Sequence, residues 1–174
     1  MGFLSKNDDS TPAIHIFWGE YFYSGIPHFN TSWDASISGS GIGKINYDLV
    51  KGVDATSDQC LIILERTPEY SIEKWSLESG TPVFTGIYAS GHGDENSKFN
   101  NPVDVTTDND NYVYVLDMLS TGQPKIKVFD ANLQSIGGVG NITSIPGTPI
   151  AIDWDRLGNA AHVLHSSGVA VFYK

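Results

Sequence analysis

An all-β fold, assembled from four tandem copies of a four-stranded antiparallel unit, is predicted by three observations. The chain matches itself when shifted by 47 or 50 residues. Each match carries short alternating runs of β-branched and aromatic residues, bounded by Gly, Pro, Asn and Asp, which are strand and turn signals. No segment sustains a helical period. The 18 glycines and the abundance of Asn and Asp suit such a turn-rich chain.

A shift of 50 superposes Gly41 on Gly91, Gly43 on Gly93, Asn46 on Asn96, Val53 on Val103, Asp54 on Asp104, Thr56 on Thr106 and Asp58 on Asp108, without a gap. A shift of 47 brings Gly138, Gly140, Pro149 and Asp155 onto Gly91, Gly93, Pro102 and Asp108. A shift of 100 places Asp8, Phe3 and Phe29 at the positions of Asp108, Val103 and Phe129. The units are therefore expected at about residues 1–40, 41–90, 91–137 and 138–174.

Within a unit the first strand is short, as in Val103-Asp104-Val105, and a polar turn follows, Asp108-Asn109-Asp110-Asn111. The second strand is more apolar: Tyr112 to Leu116, with counterparts Ala13 to Phe17, Leu61 to Leu64 and Ala160 to Leu164. A third strand runs from Lys125 to Phe129, Val169 to Tyr173 match Ile126 to Asp130, and a weaker fourth lies near Leu133 to Ile136. The last unit ends after its third strand.

A lone four-stranded meander has two apolar faces and cannot bury both. Stacking such units face to face around an axis buries them and leaves only short edges, which is a β-propeller. An incomplete last blade leaves an edge open to pairing. It fits a fragment of a longer protein, a compact four-bladed ring, or self-association through the terminal blades.

The third unit carries a specific likeness. Phe99-Asn100-Asn101-Pro102-Val103-Asp104-Val105, then Asp108, then Tyr112 to Asp117, then Ile126 to Asp130, resembles an NHL repeat. The second unit departs with Gly52 where the third has Pro102, and the first lacks the Gly-x-Gly loop. The resemblance implies a rigid disc whose rim loops engage a protein or glycan partner. Some relatives of this architecture are lyases or lactonases with a metal over the central channel. For that reading His92, His165, Arg66 and Asp104 are the candidate groups.

Acidic residues outnumber basic ones 20 to 10, giving a net charge of −10. Such a chain repels phosphate backbones and anionic membranes, so no nucleic-acid partner is expected. No run approaches 18 apolar residues, so no membrane-spanning helix is expected, and no signal peptide is evident after Met1. Cys60 is the only cysteine, and it sits in an apolar run as a core thiol would. The acidic, turn-rich composition favours an extracytoplasmic or secreted location. Asn30-Thr31-Ser32 and Asn141-Ile142-Thr143 fit glycosylation sequons.

Gly91-His92-Gly93 recurs as Gly41-Ile42-Gly43 and Gly138-Val139-Gly140 and reads as an interblade turn, because no helix follows to receive a phosphate. Asp58, Asp108 and Asp155 recur at the first turn, where an Asx bond to the backbone explains them. Asp108 to Asn111 also places oxygens densely enough to suggest calcium, but without the Gly and distant Glu of an EF-hand. Asp54 and Asp104 lie on first strands. They either hold a divalent cation near the axis or accept hydrogen bonds from amides of the next blade.

The loops between second and third strands share one rim with the loops leading into each blade. The predicted ligand-binding set is Trp18, Glu20, Tyr21, Glu65, Arg66, Asp117, Met118 and His165, with His92, Asp94 and Asn100. Glu65, Asp117 and His165 are expected at one position of the repeat. No nucleophile elbow, zinc-protease motif or triad occurs.

Overall fold

The computed structural model describes residues 2–6, 12–16, 21–23, 26–28, 35–38, 50–65, 70–139, 145 and 147–174. All of its regular structure is β, as the alternating runs require. A first sheet orders β1 (Gly2–Lys6), β2 (Pro12–Ile16) and β5 (Ala35–Ser38), and a hairpin of β3 (Tyr21–Tyr23) and β4 (Ile26–His28) is inserted between β2 and β5. The second sheet is a meander of β6 (Val50–Ala55), β7 (Cys60–Glu65), β8 (Ser71–Ser76) and β9 (Val83–Ser90). The third is β10 (Asn101–Thr107), β11 (Val113–Met118), β12 (Pro124–Phe129) and β13 (Ser135–Val139). The fourth has three strands, β14 (Pro149–Asp155), β15 (Ala160–His165) and β16 (Gly168–Tyr173). Among the described residues every pairing between these strands is antiparallel. No helix of the described residues is long and apolar enough to cross a membrane.

The first strands neighbour one another in the order β1, β6, β10, β14, so the sheets stack like blades. Between them lie three apolar layers. Ile14 and Ile37 meet Val50, Ile63, Trp75 and Leu77. Ile62, Leu64 and Ile72 meet Phe99, Val105, Val113, Val115 and Phe129. Tyr114, Leu116 and Ile126 meet Ile152, Trp154, Ala161 and Val163. The second strands β7 and β11 are apolar almost throughout because both of their faces are covered. Cys60 is buried, and burial raises its thiol pKa.

Two expectations require correction. The third strand of the first sheet is β5, not a segment at Phe29; the extra hairpin displaces it, and Phe29 itself lies outside the described residues. The offset between the second and third sheets is 52 residues rather than 50. The first strands β6, β10 and β14 each carry a bulge, between Val50 and Gly52, Pro102 and Asp104, and Pro149 and Ala151. The same residue in each hairpin turn has positive φ: Gln59 (59°), Asn111 (64°) and Asn159 (50°). Both markers give 52. A two-residue slip keeps every side chain on its face, so the alternating pattern could not expose it. Asp54 is thus equivalent to Thr106 and Asp153, and the place of Asp108 is held in the second sheet by Thr56.

Candidate functional site

Glu65, Asp117 and His165 pair with Val50, Pro102 and Pro149, so they occupy one position at the rim end of each second strand. All three are buried. Asp117 accepts the amides of Asn100 (3.1 Å) and Asn101 (2.8 Å) and pairs with Lys127 Nζ at 2.7 Å, both side chains wholly buried. Lys127 also donates to the carbonyls of Gly93 (3.4 Å) and Lys98, and lies 5.6 Å from the Phe99 ring centroid. One carboxylate–ammonium pair therefore pins the whole loop from Gly93 to Asn101. His165 Nδ1 accepts the Ser167 amide at 3.3 Å.

The same loop is tied again further out. Asp94 accepts the Ser120 amide (2.8 Å) and the Ser120 hydroxyl, and these bonds hold its carboxyl below the usual range. Asn100 Nδ2 donates to the Met118 carbonyl at 2.9 Å. Gly91 adopts φ +110°, and the Phe99 amide returns to its carbonyl. This is the interblade turn expected there. His92, at its tip, is exposed and stands edge-on to Tyr70, with ring centroids 4.9 Å apart. The structure thus gathers His92, Asp94, Asn100, Asp117 and Met118 around the third sheet, with Tyr70 added from the second. Tyr21 lies in β3 of the inserted hairpin, between the second and third strands of its sheet. Trp18, Glu20 and Arg66 lie outside the described residues, as does Gly41 to Gly43.

On the first strands, Asp54 Oδ2 accepts the Thr107 amide (2.6 Å) and hydroxyl (2.8 Å), and Asp104 Oδ2 accepts the Ile152 amide (3.0 Å). Each links its strand to the next, the second of the two roles that the sequence allowed. Gly52 makes this approach feasible, since a Cβ there would collide with the Asp104 carboxylate and sit 2.8 Å from the Val105 amide nitrogen. Burial pushes Asp104 up to about 6; the amides of Ile152 and Val105 oppose the shift, while Asp54 and Asp153 add to it. Among the described residues no three His, Cys, Asp or Glu side chains cluster as metal ligands would.

At the opposite ends of the strands, Asp108 Oδ1 accepts the Asp110 and Tyr112 amides, an Asx turn. Its Oδ2 accepts Tyr114 Oη (2.8 Å) and Lys174 Nζ (2.7 Å), and Lys174 also reaches Asp110 (2.8 Å). Burial disfavours the Asp108 anion, but these bonds outweigh it and hold the carboxyl below its usual value. Burial and then Asp108 raise the Tyr114 phenol. The cation at Asp108 and Asp110 is thus an ammonium from the last residue of the chain, a contact that no local sequence signal announced. Beside it lies a cavity of about 160 Å³ between the third and fourth sheets, lined by Tyr114, Val128, Trp154 and Phe172.

No family model matches the chain, and no curated protein matches it in sequence. The fold does have solved counterparts. A gluconolactonase from Xanthomonas campestris matches over 98% of this chain with a TM-score of 0.56 and 15% identity. The matched region is 55% of that protein's chain, so this chain spans about half its length. The likeness is one of fold: a propeller-like stack of antiparallel sheets.

Proposed function

We propose that the chain is a non-catalytic binding module whose rim loops engage a protein or glycan partner. The observation that carries this reading is the commitment of its carboxylates. Asp117 is spent on Lys127 and two amides, Asp94 on Ser120, and Asp54 and Asp104 on neighbouring strands. Such bonds stiffen loops, and a stiff loop presents contact groups at low entropic cost. His92 and Tyr70 are the contact groups it presents, and the β3–β4 hairpin, joining second and third strands of the first sheet, is a further one. The same reading includes self-association through the three-stranded last sheet.

The matched fold supports a second reading, a metal-dependent lactonase. A glycan array and a lactone-hydrolysis assay with added divalent metal separate the two. We expect saturable glycan or peptide binding that falls at least tenfold in the His92→Ala/Tyr70→Ala variant, without lactone turnover. Metal-dependent hydrolysis of gluconolactone, abolished by Asp104→Asn, reverses the assignment.

A further inference from the structure

The described sheets repeat one register, so equivalent positions can be compared. Leu64 pairs with Ile72, Leu116 with Ile126, and Leu164 with Val169. The first two pairs are 0% exposed, each covered by the next sheet, whereas Leu164 is 44% and Val169 58% exposed. Val171, the equivalent of Val128, is 43% exposed, and Tyr173 beyond it is 80% exposed. The last sheet keeps the apolar residues of an intersheet layer on a face that nothing described here covers.

Two further features identify what fits there. β8 and β12 are each flanked by a fourth strand, but among the described residues none pairs with the outer edge of β16. That edge, Gly168 to Tyr173, has no charge, no proline and an unbroken register, the devices that ordinarily protect an edge being absent. The other feature is Asp153. It is equivalent to Asp54, and its Oδ1 accepts the next amide (Trp154, 2.9 Å) as Asp54 Oδ1 accepts that of Ala55 (2.8 Å). Asp54 Oδ2 then receives the amide of the following first strand. Asp153 is exposed, and its Oδ1 accepts the Trp154 amide. The carboxylate stands where the first strand of another such sheet would donate an N–H.

Resting on the self-association in the reading above, we propose that a second copy of this chain occupies this face. Its first sheet would stack on Leu164, Val169 and Val171, and a β1 amide would reach Asp153. Likeness to the internal layers supports that occupant, because Leu116 and Ile126, at the register of Leu164 and Val169, meet a sheet of this same chain. Direction supports it too, because β1, β6, β10 and β14 are stacked in one order that a second β1 continues.

Sedimentation velocity over a concentration series tests this. The expected species is a dimer of twice 18.9 kDa. Leu164→Lys/Val171→Lys should make it monomeric, and Asp153→Ala should weaken it roughly three- to tenfold. Leu157→Lys, altering a 99% exposed turn residue, should leave it dimeric. Circular dichroism melts verify that each variant folds. A monomer at every concentration, or a dimer indifferent to the Leu164/Val171 substitutions, overturns the proposal. Either result leaves the glycan-array outcome unaffected, since His92 and Tyr70 are untouched.

Discussion

Lys127 is the side chain on which the rim loop depends. Its ammonium is wholly buried, so its attraction to Asp117 is little screened, and removing either partner strands a charge away from water. Lys127→Met is expected to lower stability by about 3–5 kcal/mol in urea unfolding. The exposed Lys98–Glu95 pair, at 2.9 Å, supplies the contrast, and Lys98→Ala should cost less than about 1 kcal/mol. A small effect of Lys127→Met would mean that the loop is held by its turns instead. The sequence offered Asp117 as a rim ligand group, and the structure engages it with Lys127 and two loop amides. Its burial depends on Lys127 reaching across from β12, a neighbour fixed by the antiparallel register and by the path of the loop rather than by local pattern.

At the scale of the element, the hairpin between first and second strands repeats with one demanding position. Gln59, Asn111 and Asn159 each occupy the left-handed region. Asparagine tolerates it, because its short side chain bonds locally; glutamine does so less well. Gln59→Asn is therefore expected to stabilise the chain by a few tenths to about 1 kcal/mol, read as a rise in the urea midpoint at constant slope. The same turn shows what the sequence could reveal. Strand order, the apolar second strands and the 47-residue offset from β10 to β14 were legible, because hydrophobic alternation and Pro102/Pro149 mark them. The 52-residue offset was not, since a slip of two preserves alternation. Nor was the β3–β4 hairpin, because self-matching finds only what repeats.

Over the whole molecule, two groups of carboxylates pull stability in opposite directions with pH. Asp108 is held below its usual value, so what it contributes is present above about pH 4 and lost as pH falls through its folded pKa. Asp104 is raised from 3.8 to about 6, so its contribution is greatest below pH 4 and is lost as pH rises through 6. The second shift is worth on the order of 2–3 kcal/mol, and the net charge of −10 reinforces it through self-repulsion as acidic groups ionise. Stability should therefore peak near pH 4, where the acid loss at Asp108 ends and the decline from Asp104 begins. Urea midpoints measured from about pH 2 to 8 are expected to show that maximum. Asp104→Asn, which keeps one amide acceptor without the buried charge, should flatten the decline between pH 4 and 6 and leave the acid limb in place. An unchanged decline would assign it to general repulsion among the surface carboxylates, and 0.5 M salt would then abolish it by screening.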